Sequence, residues 1–324
     1  MTIMPSRERF RGCLVGQALG DALGFVVEGR PPEVCARYLD EGPGGHDFGQ
    51  YSDDTQLARE LMRSYADLGR FEPADYARRI RDIFSEGRIV GYGRSTAQAA
   101  GRLVRDVPWD EAGTPPPSAG NGSAMRAGPI GLFFHDDPEG LVRAATQQGI
   151  ITHADPRCSA GAIAIAGAVS LVLSDRPVDP AFLLDRLAGL TGEVEPRFAA
   201  NLRELLRWLS LPPEEAVTRI SGTGLDPDQG REWQGIPPFV VSSVLWSLYS
   251  FLTSPEDYWR AIRTAIAVGG DVDTTAAMAG AISGAHLGLD SLPGDLTRHL
   301  TDRGTWGLAD LIRLADECHS VRVR

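Results

Sequence analysis

Ser52-Asp53-Asp54-Thr55-Gln56-Leu57-Ala58-Arg59-Glu60-Leu61-Met62-Arg63-Ser64-Tyr65-Ala66-Asp67-Leu68-Gly69 opens on oxygen-bearing side chains and closes on glycine. Between those ends, Leu57, Leu61, Met62, Tyr65 and Leu68 recur at helical spacing and fall on one face of an α-helix. The same periodicity predicts helices over residues 142–150, 182–190, 198–209 and 258–268, each bounded by Pro, Gly, Asp or Ser. Residues 239–252 form a largely apolar segment long enough for a core helix. The longest apolar run, 160–173, falls short of the roughly 20 residues of a membrane span, so a buried helix is expected and no membrane partner. Strand alternation is scarce. Loop-like stretches at 41–50, 108–122 and 222–238 pass directly into apolar helices, so none reads as a linker. One all-α domain spanning residues 1–324 is the expectation.

The chain has 324 residues, 43% hydrophobic and 23% charged, the balance of a globular protein with a substantial core. All 32 basic residues are arginine, and the net charge is −11, which argues against general nucleic-acid or anionic-membrane binding. Any anionic ligand must then be held by local donors or by metal. Cys13, Cys35, Cys158 and Cys318 are scattered, without zinc spacing and too sparse for a disulfide framework. With no apolar leader in the first residues, a reducing cytoplasmic compartment is expected. A monomer is expected as well.

Gly12, Gly16, Gly20 and Gly24 recur every four residues. Such a stripe suits close helix packing. Arg11, Gln17 and Asp21 interrupt the segment, which favours packing in a soluble protein over a membrane dimer.

Two acidic clusters carry the candidate chemistry. Ser52-Asp53-Asp54-Thr55 precedes one helix, and Gly269-Gly270-Asp271-Val272-Asp273-Thr274-Thr275 precedes an Ala/Gly-rich one. Each alone is explained by helix capping. Brought together, four carboxylates repel and take up protons unless a cation sits among them. Hard divalent ions want carboxylate and hydroxyl oxygen, so the pair suggests a dinuclear site with ions about 3.5–4 Å apart. The two glycines allow tight backbone approach. A third element, Gly120-Asn121-Gly122-Ser123-Ala124-Met125-Arg126, is either a plain turn or a phosphate cradle of free N–H groups.

Taken in order, Gly20-Asp21-Ala22-Leu23-Gly24 with Glu28, Ser52–Thr55, Gly120–Arg126, Thr152-His153 and Gly270–Thr274 resemble the ADP-ribosylglycohydrolase family. That family includes the dinitrogenase reductase-activating glycohydrolases. The resemblance spans about residues 7–290. It implies a compact, orthogonal multi-helix single domain around a dinuclear cleft holding two magnesium ions, or manganese. By resemblance, Ser52, Asp53, Asp54, Asp271, Asp273 and Thr274 are metal ligands, and Gly120, Asn121, Gly122, Ser123 and Met125 cradle the pyrophosphate and distal ADP-ribose. His153 lines the ribose side. Glu28 matches a mobile glutamate at the metal site, while Asp21 is expected to hold the first helix against the metal loops.

Gly91-Tyr92-Gly93 resembles a ligand-contacting segment. Some arginine-directed members carry an aspartate where this chain has Gly91, so the pattern sits closer to members acting on O-linked ADP-ribose. Some relatives place an aromatic adenine platform just before the Gly-Asn-Gly loop. Ser118 and Ala119, which border the loop here, offer none, so Trp233 or Phe239 is the expected substitute.

The resemblance implies a magnesium-dependent hydrolase that cleaves a glycosidic bond to ADP-ribose through an oxocarbenium-like transition state, with Glu28 or Asp54 managing the proton. The substrate would be an ADP-ribosylated protein or a small ADP-ribosyl conjugate. Two rivals remain open at this point: a catalytically silent ADP-ribose-binding relative, and a two-metal phosphoesterase splitting the pyrophosphate.

Overall fold

Proline and aspartate set where the helices begin. In a computed structural model describing residues 4–43, 48–174, 177–225 and 233–323, the first eight helices are α1 (Arg7–Phe25), α2 (Pro32–Glu41), α3 (Asp53–Leu68), α4 (Pro73–Ser85), α5 (Arg94–Val104), α6 (Gly128–Phe133), α7 (Pro138–Ile150) and α8 (Pro156–Val172). They are followed by α9 (Pro180–Thr191), α10 (Pro196–Trp208), α11 (Pro213–Ile220), α12 (Val240–Leu252), α13 (Tyr258–Ala267), α14 (Val272–Leu287), α15 (Gly294–Thr297) and α16 (Leu308–Val323). Seven of them, α2, α4 and α7 to α11, open on proline, whose missing N–H costs nothing in the first turn. Asp137, Asp155, Asp179 and Asp257 cap their helices by accepting backbone N–H bonds.

The all-α expectation holds: among the described residues there is no strand, only isolated bridge pairs between loops. No described helix is long and apolar enough to cross a membrane. Parts of two expected loops, residues 44–47 and 226–232, lie outside the described residues. On α3, Leu57, Leu61, Met62 and Tyr65 are buried as the periodicity requires. Leu68 departs from it at 41% exposed, because it occupies the last turn before Gly69 reverses the chain at φ 71°.

The glycine stripe explains the centre of the molecule. A Cβ on Gly12 would fall 2.1 Å from the Gly284 carbonyl oxygen, and one on Gly20 would fall 2.1 Å from that of Ala276. Gly24 leaves room for the Asp273 backbone, and Tyr258 donates its hydroxyl to the Gly16 carbonyl at 2.6 Å. Thus α1 and α14 run against each other backbone to backbone. α14 is buried along nearly its whole length, as its Ala/Gly-rich sequence requires. This contact brings the end of α1 beside the start of α14, where the second acidic cluster stands.

Candidate active site

The first acidic segment is fixed from behind. Asp21, fully buried on α1, accepts the Ser52 and Thr55 N–H groups at 2.9 and 3.0 Å and the Thr55 hydroxyl at 2.6 Å. It holds the first helix against this loop. Ser52 caps α3 by accepting the Asp54 N–H at 3.2 Å. Gln17 donates to the carbonyls of Asp54 at 2.8 Å and Met125 at 3.0 Å, tying the acidic turn to the glycine-rich loop.

The second segment depends on backbone that only glycine accepts easily. Gly269 and Gly270 have φ of 75° and 93°, and a Cβ on Gly270 would meet the Ile236 carbonyl oxygen at 2.1 Å. The Asp271 N–H donates to that carbonyl at 2.8 Å, and the Gly29 N–H donates to the Gly270 carbonyl at 2.9 Å. Gly29 follows Glu28 directly, so the same contact sets Glu28 at the cleft mouth.

The two segments meet. Thr274 donates its hydroxyl to the Asp54 carboxylate at 3.2 Å. Carboxylate oxygens of Glu28, Asp271 and Asp273 lie within 4.8 Å of one another. Burial pushes the carboxyls of Asp53, Asp54 and Asp273 well above the usual range, with neighbouring carboxylates adding repulsion. Asp271 is raised by burial against the hydrogen bond from Asn121. Partial desolvation, then Asp271 and Asp21, lift Glu28 to about 7, while burial lifts Asp21 to about 6 despite its hydrogen bonds. Among the described residues, none of these carboxylates forms an ion pair. A buried set of carboxylates and hydroxyls left without a counter-ion fits a hard divalent cation.

Beside the acids lies the Gly120–Arg126 turn. It does not open a long helix: α6 starts only at Gly128 and has six residues. A single bridge pair, Gly120 with Phe239, stitches it to the later loop, and another, Thr114 with His153, ties the preceding segment to the histidine. Among the described residues the N–H groups of Gly122 and Ser123 find no backbone acceptor. A Cβ on Gly122 would sit 2.7 Å from His153 Cε1, so the absence of a side chain lets turn and imidazole touch.

Acids and turn, joined by the hydrogen bond from Asn121 to Asp271, line one cavity of about 600 Å³. Among the residues expected to act, Glu28, Asp53, Asp271, Asp273 and Thr274 line it, as do Gly91, Tyr92, Gly93, Ser118, Gly120, Asn121, Gly122, Met125, His153, Trp233 and Phe239. Ser52, Asp54 and Ser123 do not. Ser52 and Asp54 stand behind Asp53 and Thr274, and the Ser123 hydroxyl turns away to donate to the Cys158 carbonyl at 2.9 Å. Gly91 adopts φ of 73°, and a side chain there would press on Ser52 Cβ at 3.0 Å.

The ADP-ribosylglycohydrolase family model matches residues 3–323. The chain belongs to that family. ADP-ribosylhydrolase ARH3 of Danio rerio is 32% identical over 320 residues, covering 88% of this chain and 84% of the relative. ADP-ribosylarginine hydrolase Tri1 of Pseudomonas putida (strain GB-1) is 25% identical over 307 residues, covering 90% and 74%. A solved structure described as an ADP-ribosylglycohydrolase-related protein complex superposes with TM-score 0.70 at 28% identity, covering 98% of both chains. Membership makes the chain a relative of hydrolases that act on ADP-ribose conjugates.

Sequence reasoning missed several cavity residues, Thr96 and Arg157 among them, and one tether. The Arg157 guanidinium is held by Asp155 at 2.8 Å and lies 5.5 Å from the centre of the Phe239 ring. Its signal was legible as an arginine four positions after His153 in an acidic chain. Gln17 carried a signal too, as an amide inside a glycine stripe.

Proposed function

We propose that this chain is a magnesium-dependent hydrolase that cleaves the glycosidic bond between ADP-ribose and an acceptor, releasing ADP-ribose. The observation that carries it is a shared cavity: Glu28, Asp271 and Asp273, within 4.8 Å of one another, line it together with a glycine-rich turn whose Asn121 donates to Asp271. The acidic wall suits a cation-bound sugar and the turn suits a pyrophosphate.

Bound divalent ions supply Lewis-acid polarisation of the ribose hydroxyls and of a water. Asp53, Asp271, Asp273 and Thr274 would hold them at the cavity wall, with Ser52 and Asp54 bracing those side chains from behind. The N–H group of Gly122 would donate to a pyrophosphate oxygen. Phe239, its ring flanked by Arg157, offers adenine a stacking face, with Trp233 beside it. Glu28 stands at the mouth, where a leaving group departs, and its raised affinity for protons suits delivery of one to the leaving atom.

Gly91-Tyr92-Gly93 favours O-linked conjugates, since Gly91 places no carboxyl there. A reducing cytoplasmic setting accords with four buried, unpaired cysteines. The test is a panel of defined seryl, arginyl and ester ADP-ribosyl conjugates incubated with magnesium or chelator, with products identified. ADP-ribose released only with metal supports the reading. AMP as product would establish the phosphoesterase instead, and no product from any conjugate would leave a silent binding protein.

A further inference from the structure

His153 is buried, yet its ring lines the cavity beside the turn. What an imidazole can offer a ligand depends on which nitrogen carries the proton. Here a chain of buried groups behind the ring decides it. Arg126, fully buried, donates through Nη2 to the Thr152 hydroxyl oxygen at 2.8 Å and to the Gln148 carbonyl at 2.9 Å. Arginine has no acceptor, so Thr152 Oγ1 must accept in the first of these bonds. The same oxygen lies 2.8 Å from His153 Nδ1.

Two arrangements are open to that second contact. If Nδ1 carried the proton, Thr152 would accept twice, and its own hydroxyl hydrogen would be left without a partner in a buried site. If Nδ1 is bare, Thr152 donates its hydrogen to it, and both the hydroxyl and Nδ1 are satisfied. An unmet buried donor costs about 1–3 kcal/mol, enough to select the second arrangement. The remaining proton then sits on Nε2, which lies 3.4 Å from the place of a Cβ on Gly120, at the cavity wall. Among the described residues no protein group bonds Nε2. Burial, then the charge of Arg126, pushes the imidazolium form down to about 3, so the ring is neutral near pH 7.

We infer that Arg126 and Thr152 act as positioning residues that lock His153 as a neutral Nε2–H donor aimed into the cavity. The acceptor it suits is a sugar hydroxyl or phosphate oxygen, and that choice rests on the ADP-ribose reading. The relay itself does not. An imidazole free to switch tautomer would present a bare nitrogen, which repels a phosphate oxygen and obliges a sugar hydroxyl to donate instead of accept.

The test is long-range proton–nitrogen correlation on full-length protein labelled with nitrogen-15 histidine, with magnesium near neutral pH. His153→Gln identifies the resonance. The Nε2–H tautomer is expected in the wild type and in Thr152→Ser, and a mixture or the other tautomer in Thr152→Val. ADP-ribose affinity should follow, falling roughly 10-fold in Thr152→Val and recovering in Thr152→Ser. A wild type carrying the proton on Nδ1 overturns the inference, as does a Thr152→Val variant with an unchanged tautomer. Failure of ADP-ribose to bind the wild type sinks the ligand reading instead and leaves the tautomer result standing.

Discussion

The Thr274 hydroxyl donates to the Asp54 carboxylate at 3.2 Å, joining the start of α14 to the start of α3 across 220 positions of sequence. Asp53, next to Asp54, therefore stands in the cavity wall with the second acidic cluster rather than on a separate surface. Asp53→Ala should leave the helical fold intact, since it removes a carboxylate that its neighbours repel. Turnover should fall about 100-fold or more. Circular dichroism and a manganese-binding titration check both halves. Full activity with undiminished metal binding would exclude Asp53 from the metal site.

The carboxyl cluster also predicts how metal and pH act on stability. Glu28 is lifted to about 7 and Asp21 to about 6, against about 4 for unfolded carboxyls. Between those limits the chelated folded protein binds more protons than the unfolded chain, so these groups add stability as pH falls through about 7. Magnesium requires the adjoining carboxyls of Asp53, Asp271 and Asp273 ionised, and burial raises their affinity for protons as well. The gain in Tm from magnesium should therefore shrink by a few degrees between about pH 8 and about pH 5.5. Buried His153, kept neutral by desolvation, contributes alike with and without metal and cancels in that difference. Scanning fluorimetry with and without chelator measures it, and a gain that grows on acidification contradicts the assignment.

Gly20→Ala places a methyl group 2.1 Å from the Ala276 carbonyl oxygen. The two helices must separate, at about 1–3 kcal/mol or more, and α14 carries Asp271 and Asp273 with it. Lower Tm and weaker metal binding are expected together. Gly101→Ala is the control: its new methyl meets only the Arg105 side chain at 3.8 Å within α5. Better helix propensity should stabilise it by about 0.5–1 kcal/mol.

Phe239→Leu keeps an apolar side chain over the loop but removes the ring. ADP-ribose affinity should fall several-fold, in line with about 0.5–1.5 kcal/mol for aromatic stacking. Ribose 5-phosphate, which has no base, should bind the variant and the wild type alike. Isothermal titration with both ligands distinguishes stacking from general damage to the cleft.

The helical architecture was legible because its signals are local. Asp-Pro at 137–138, 155–156 and 179–180 marks helix starts whatever lies elsewhere, and the α3 periodicity fails only at Leu68. The two acidic clusters were legible as candidates, but their meeting is a long-range fact produced by the glycine stripe of α1. Which residues face the cavity was less legible. Ser123 belongs to the same motif as Gly122, yet a bond to the Cys158 carbonyl turns it away. Arg157 could be noticed from its place four positions after His153, but its entry into the cavity depends on Asp155 holding the guanidinium, which spacing alone does not reveal.

The backbone-to-backbone contact of α1 and α14 also orders events in time. Gly12 meets Gly284, so the acidic wall cannot assemble until α14 has left the ribosome. Closing so long a segment is entropically slow, and the last large step of folding is then also the step that creates the cation site. A nascent chain of this protein is therefore inert toward its ligand until α14 has emerged.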